Sequence, residues 1–354
     1  MPQTPIACRD DAANMTLRVA INGYGRIGRS LLRAAHRRDD TAGLEFVAIN
    51  EPASARAIAH LTRYDSQHGR FPGALAATEE TLNVAGHSIT LLPGLPGGAL
   101  PWQTLGVDLV MECSGQPGTR ASAHEHLNAG ATRVLFSQPA AADVDLTLIM
   151  GFNHTERRAE QRILSAGSCT TNALIPILDA IGTDFGLQRV ASTTIHAAMN
   201  DQPVSDGFAG DDLHRSRSAL NAVIPMPTAL ARGVSRLMPM LDGKVECLHL
   251  RVPTTTVSAL DLTLETTYKT TPQAIIDTLE NACAGQYHQV MGLSDDPVSS
   301  VDFAHDPHSA IVDITQIRVI DDHWIKLVCW FDNEWGFANR MLDIAIAIAN
   351  DPSA

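Results

Sequence analysis

The chain has 354 residues, 45% of them hydrophobic and 18% charged, which is long enough for two domains with a sizeable core. Its formal net charge of −13 argues against nucleic acid as a main partner, because such a partner demands clustered Lys and Arg in excess. No apolar run approaches the roughly 20 residues of a membrane span, and Arg9, Asp10 and Asp11 interrupt the first residues; neither a membrane segment nor a secretory signal is expected, and a cytoplasmic location is.

Residues 1–16 read as a loose tail. Leu17–Asn22 is a short apolar run that leads into Gly23, Tyr24, Gly25, Arg26, Ile27 and Gly28, and helical spacing follows over Arg29–Ala35. The next apolar run, Leu44–Asn50, ends in Glu51, about twenty positions beyond Gly28. Strand, glycine turn, helix, strand and acid is the order a dinucleotide site needs. Gly23 permits the tight turn, Gly25 lets backbone approach a pyrophosphate, Gly28 lets helix pack on strand, and Glu51 accepts from ribose hydroxyls. That carboxylate would repel a ribose 2′-phosphate, which favours NAD over NADP as the cofactor.

The alternation continues through Asp108–Glu112, a polar helix around Ala121–Ala129, Arg133–Phe136 and Leu146–Met150. It predicts an α/β domain with a Rossmann-type parallel sheet over 17–168. A helix is expected over Asn172–Phe185. Thereafter the runs Val190–His196, Val245–Arg251, Ser258–Thr266, Ile311–Val319 and Trp324–Trp330 predict an antiparallel sheet in an α+β catalytic domain over 169–335. Phe337–Asn350 has the length and spacing of a closing helix, so 336–354 is expected to return to the first domain.

Six cysteines, Cys8, Cys113, Cys169, Cys247, Cys283 and Cys329, stand far apart with no C-x-x-C pair, which points to reduced thiols rather than a disulfide framework or zinc knuckle. Cys169 differs from the others. It lies among Gly167, Ser168, Thr170, Thr171 and Asn172 just before a helical apolar run, where backbone N–H groups and the helix dipole favour a thiolate near neutral pH. The alternative is a small buried core residue. His196, ending a strand downstream, could pair with it as thiolate and imidazolium, or serve as a hydrogen-bonded structural histidine. A thiolate beside a nicotinamide suggests aldehyde oxidation: sulfur adds to the carbonyl, hydride leaves for NAD, and a thioester remains on Cys169. His196 would act as base and steady the oxyanion together with the Cys169 N–H. Arg215, Arg217 and Arg251 could grip a phosphorylated substrate, or remain solvated or salt-bridged.

Two clusters of ligand-type residues, His305, Asp306 and His308 with Asp302, and His124, Glu125 and His126, lack an i, i+4 imidazole pair. A structural loop and a solvated helix are expected there, and no metal site. Trp324 and Trp330 read as sheet or interface packing, Met238 and Met240 as core filling.

Gly23–Gly28, Ser168–Asn172, His196, Asn200–Gln202, Arg251–Thr254 and Asp332–Gly336 together resemble the glyceraldehyde-3-phosphate dehydrogenase superfamily, over about residues 16–350. Tyr64–Phe71 is shared broadly in it, whereas Val301–Asp313, Met199 and Phe136–Pro139 resemble its D-erythrose-4-phosphate dehydrogenase branch. The resemblance implies NAD-dependent oxidation of D-erythrose 4-phosphate to 4-phospho-D-erythronate on the way to pyridoxal 5′-phosphate, with water resolving the thioester. The other reading is a phosphorylating glyceraldehyde-3-phosphate dehydrogenase. It further implies Cys169 as nucleophile and His196 as its activator. Ser168, Thr170, Arg215, Thr228, Ala229 and Arg251 would line the anion sites. Arg26 and Ile27 would meet the cofactor through their backbone, Glu51 its adenosine ribose and Asn333 its carboxamide, in a homotetramer. The chain departs from the pattern at Thr90, His214 and Ala229, and the segment Asp206–Asp212 is one residue longer than usual in the family, which leaves Arg215 and Arg217 to compete for one role.

Overall fold

The computed structural model describes residues 16–351; of the expected tail, residues 1–15 lie outside them. The first half contains β1 (Leu17–Asn22), α1 (Arg26–Arg37), β2 (Leu44–Asn50), α2 (Ala55–Arg63), β3 (Tyr64–Asp65), β4 (Gly69–Arg70), β5 (Leu75–Ala77), β6 (Thr81–Val84) and β7 (His87–Leu92). It continues with α3 (Trp102–Leu105), β8 (Leu109–Glu112), α4 (Arg120–Asn128), β9 (Arg133–Phe136), β10 (Leu146–Thr147) and β11 (Ile163–Ser165). The second half has α5 (Cys169–Phe185), β12 (Leu187–Ala197), β13 (Ile224–Pro225), α6 (Leu230–Leu237), β14 (Val245–Val252) and β15 (Ser258–Thr266). Then come α7 (Pro272–Ala284), β16 (Met291–Ser294), β17 (Ala310–Ile320), β18 (Trp324–Phe331) and α8 (Trp335–Ala349).

Nine strands form the first sheet in the order β10-β11-β9-β8-β1-β2-β7-β6-β5. It is parallel from β10 to β7, and only the β7-β6-β5 edge is antiparallel. The chain order reverses at β1, which has β2 on one side and β8 on the other; in such sheets the crevice beyond the carboxyl ends of those strands takes the ligand. Val19, Ile21 and Ile49 are fully buried because helices cover both faces. One cover is α8, whose Ala338, Met341, Leu342, Ala345 and Ile348 share a core with Leu31 and Ala34 of α1. Each large side chain in that seam contributes about 1.5–3 kcal/mol.

The second sheet, β13-β14-β12-β15-β18-β17-β16, is mixed. The pairs β12-β15, β15-β18, β17-β18 and β13-β14 are antiparallel, as the sequence suggests, but β12-β14 and β16-β17 are parallel. The crossover between β12 and β14 carries α6, and a connection of that length lets the second strand re-enter in the same direction. This parallel pair sets Arg251 opposite His196.

Three local expectations are corrected. The strand expected over Leu146–Met150 stops at Thr147, because Asn153 Oδ1 takes the Ile149 N–H and the chain turns at Gly151 with φ +83°. The helix around Ala121–Ala129 is not solvated throughout: His126 is buried, accepting from Trp102 Nε1 at 3.1 Å and facing Glu112 Oε2 at 3.0 Å. Met238 fills the core, but Met240 is 66% exposed. Among the described residues no helix is long and apolar enough to cross a membrane.

Candidate active site

The dinucleotide crevice is built by close backbone contact. Gly23 has φ +88°, and a Cβ there would lie 2.4 Å from the Ser114 Cα at the end of β8. A Cβ on Gly28 would lie 2.4 Å from the Gly23 carbonyl oxygen, so α1 packs on the turn only because that atom is missing. Gly25 differs: a Cβ there would meet nothing within 4 Å. It opens α1 with no side-chain cap, which leaves the first amides of the helix, those of Arg26 and Ile27, without a capping side chain and suited to a pyrophosphate. Glu51 Oε2 accepts from the Tyr24 N–H at 2.8 Å, which fixes the carboxylate beside the turn and leaves Oε1 for a ribose hydroxyl. These features fit a bound NAD.

The Arg26 side chain points elsewhere. Its guanidinium is held by Glu334 at 2.5 Å, Asp65 at 2.5 Å and Gln67 at 2.6 Å, tying the glycine turn to the residue before α8. Beneath the crevice, Asn50 donates to Asn22, and Asn22 donates to Glu112, which also accepts from Ser114 N. Sequence reasoning did not single out this polar floor, since each residue there reads as an ordinary strand terminus.

The α5 helix begins earlier than the apolar run suggests. Ser168 Oγ accepts from the Thr171 N–H at 3.0 Å, an N-cap that places Cys169 in the first turn. Asn172 Nδ2 donates back to the Ala166 and Ser168 carbonyls at 2.7 and 2.9 Å, so the approach to the cysteine is pinned. Ser168, expected at an anion site, thus serves first as the helix cap. Thr170 Oγ1 lies 3.9 Å from the sulfur.

His196, at the end of β12, brings Nε2 to 3.6 Å from Cys169 Sγ. Its Nδ1 is 2.7 Å from the Ala197 carbonyl, which can only accept, so the neutral ring carries its proton on Nδ1 and turns the Nε2 lone pair toward the sulfur. Burial pushes the Cys169 thiol up to about 11 and holds His196 below its usual range; both shifts favour thiol and neutral imidazole over the thiolate expected from the helix terminus, and they leave the Nε2 lone pair placed to take the sulfur's proton.

Arg251 is buried beside His196 and shares Asp201 with Arg215: Arg251 Nη1 is 2.7 Å and Arg215 Nε 3.6 Å from that carboxylate. Gln202 accepts from Arg251 at 2.8 Å. Arg217 turns to Asp206 instead, so the structure brings Arg215 to this cluster and leaves Arg217 out. Among the described residues Arg251 Nε has no hydrogen-bond partner, a buried cationic donor suited to an anion. Thr228 Oγ1 accepts from Leu230 N at the start of α6. Ala229, which stands at the N-cap of that helix and offers no side-chain hydrogen bond, shares a cavity of about 420 Å³ with Gly167 and Thr171, which flank the Cys169 turn. Asn333 Oδ1 accepts from Ser258 Oγ at 2.9 Å, and the same hydroxyl accepts from Ala197 N, leaving the Asn333 amide N–H groups as donors. Ser258 and His249, whose ring stacks on His196, were not singled out; only the strand register reveals them.

Comparison with known families agrees with this arrangement. Residues 17–120 match the glyceraldehyde 3-phosphate dehydrogenase NAD binding domain, and residues 168–333 match the glyceraldehyde 3-phosphate dehydrogenase C-terminal domain. The chain belongs to the glyceraldehyde-3-phosphate dehydrogenase superfamily and is an NAD-dependent oxidoreductase acting on an aldehyde sugar phosphate.

Proposed function

We propose that the enzyme oxidises D-erythrose 4-phosphate to 4-phospho-D-erythronate through a covalent adduct on Cys169 that water resolves. The observation that carries the chemistry is the 3.6 Å approach of His196 Nε2 to Cys169 Sγ, with the opposite ring nitrogen committed to the Ala197 carbonyl. His196 takes the thiol proton as sulfur bonds to the aldehyde carbon, then returns it to the carbonyl oxygen to give a hemithioacetal. Bound NAD supplies the hydride acceptor. As the C–H electron pair leaves, His196 withdraws the hydroxyl proton and a thioester forms. The imidazolium then gives that proton to solvent, and water attacks with His196 again the base; the C–S bond breaks, Cys169 regains its proton, and the acid leaves and ionises to the carboxylate. The net change is aldehyde, NAD+ and water to carboxylate, NADH and two protons.

The sugar-phosphate end is assigned to Arg251 and Arg215; Asp201 pairs closely with Arg251 and at longer range with Arg215, which lies nearer Asp212. Ser168, Thr170, Thr228 and Ala229 are assigned to the thioester side. Glu51 and Asn333 hold the two ends of the cofactor. The four-carbon substrate is favoured by the branch-like segment Val301–Asp313 and by Met199, whose Sδ sits 3.4 Å from Arg251 Nη2 at the phosphate-binding group. A second reading, phosphorolysis of the thioester from glyceraldehyde 3-phosphate, is favoured by the anion-compatible α6 terminus, whose Ala229 shares a cavity with Gly167 and Thr171. NADH formation with each aldehyde, with and without inorganic phosphate, separates them. Turnover that needs phosphate and prefers the triose would overturn the first reading.

A homotetramer is part of the proposal. The loop after β12 exposes Phe208 fully, and Leu213 and Leu220 at 79% and 67%, an apolar set that a second copy would cover. Light scattering after size exclusion reads the mass; a monomer would refute it.

A further inference from the structure

We propose that His249 is a positioning residue for His196: its ring stacks on the imidazole, closes that face to water and fixes the plane in which Nε2 meets Cys169. The inference rests on reading His196 as the base of the thiol chemistry.

The geometry is set by the sheet. β12 and β14 run parallel with Thr194 opposite His249 and His196 opposite Arg251, so His249 leans along the same face toward His196. The two ring centroids are 5.1 Å apart with planes 25° from parallel. Phe331 of β18 meets His196 edge-on at 6.5 Å. With Nδ1 fixed on the Ala197 carbonyl, one face against His249 and an edge against Phe331, the ring is held in one orientation. A base held this way loses less entropy on reaching the transition state.

The titratable and charged groups facing the two rings are Cys169 at the start of α5, Arg251 on β14, Asp201 in the loop after β12, and Glu334 before α8. Arg251 disfavours a second positive charge here, and Asp201 opposes it only in part. Burial first, then His196 and Arg251, push His249 down to about 4. Across the neutral range His249 is therefore an uncharged flat ring. Protonating both imidazoles would set two like charges face to face, which keeps the stack in its neutral form and the Nε2 lone pair available.

The test is a histidine-selective nitrogen NMR titration of the full-length protein. In the wild type, His196 shows the Nδ1–H tautomer from about pH 6 to pH 8. His249→Ala admits water; its expected effect is a rise of about one unit in the His196 midpoint and a mixed tautomer signal. His249→Phe restores a flat apolar ring and is expected to keep the wild-type midpoint and tautomer. His249→Asn replaces the alanine variant should that one fail to fold, with the same expectation. A His249→Ala or His249→Asn protein with unchanged midpoint and tautomer overturns the proposal, as does a phenylalanine variant that shifts as far as alanine. Neither result bears on the substrate, which the sugar-phosphate assays decide with His249 intact.

Discussion

Replacing His196 by asparagine, which keeps a polar side chain but removes the proton acceptor, tests how the sulfur is activated. With the thiol at about 11, its thiolate fraction at pH 7 without a base is on the order of 10⁻⁴. With His196 present, transfer from Sγ to Nε2 starts uphill by the gap to imidazole's ordinary value of about 6.5, some four to five decades. The resulting charges lie 3.6 Å apart. At an effective dielectric of about 20 their attraction is about 5 kcal/mol, between three and four decades. The ion pair is then populated at several per cent at most, and less as burial holds His196 lower. His196 should therefore raise the thiolate population by about 10²–10³-fold at pH 7. The assay is the second-order rate of iodoacetamide alkylation against pH. The wild type should show a plateau through neutral pH, because internal transfer consumes no free proton. The asparagine variant should be slower by that factor at pH 7 and gain tenfold per pH unit toward about 11. A variant within twofold of wild type, or a wild-type rate that climbs tenfold per unit from pH 6, would refute the reasoning.

Other substitutions probe the remaining parts. Arg251→Lys removes a buried planar fork beside His196; KM for the phosphorylated aldehyde should rise by about 10²-fold while turnover of the unphosphorylated sugar changes little. Glu51→Gln should weaken NAD binding by about tenfold and narrow the preference over NADP, read by fluorescence titration with both cofactors. Ser168→Ala deletes the α5 cap and should cost about 1 kcal/mol in chemical denaturation, with slower Cys169 alkylation because the first turn loosens.

Much of the fold was legible. Leu17–Asn22, Leu44–Asn50, Arg133–Phe136 and Ser258–Thr266 are strands with those bounds because each is an apolar run closed by polar or turn residues. The parallel course of β14 was not legible, since direction depends on the length and path of the crossover, and α6 is a short helix with Gly233 in its interior. The same limit applies within the site. Cys169 and the glycines announce themselves through local chemistry. His249, Ser258 and the Arg26–Glu334 pair matter only through partners far along the chain, which local pattern cannot supply.

Three consecutive residues after β18 show how the two sheets act as one site. Asp332 is buried; its Oδ1 accepts from the N–H groups of Glu334 and Trp335, capping α8, while Oδ2 accepts from His305 N. Asn333 turns to Ser258 on the second sheet, and Glu334 turns to Arg26 of α1 and His68 between β3 and β4, in the first half of the chain. Because α8 is also packed on α1, the backbone cannot shift at Asn333 without disturbing the glycine turn. A charge-assisted hydrogen bond contributes about 1.5–3 kcal/mol, and several converge here. The amide that would orient the nicotinamide is thus referenced both to the turn that would receive the pyrophosphate and to Ala197, the carbonyl anchor of the His196 imidazole. Covalent chemistry and hydride removal at one carbon need that common frame, because a displacement of about 1 Å is enough to cost two decades in rate.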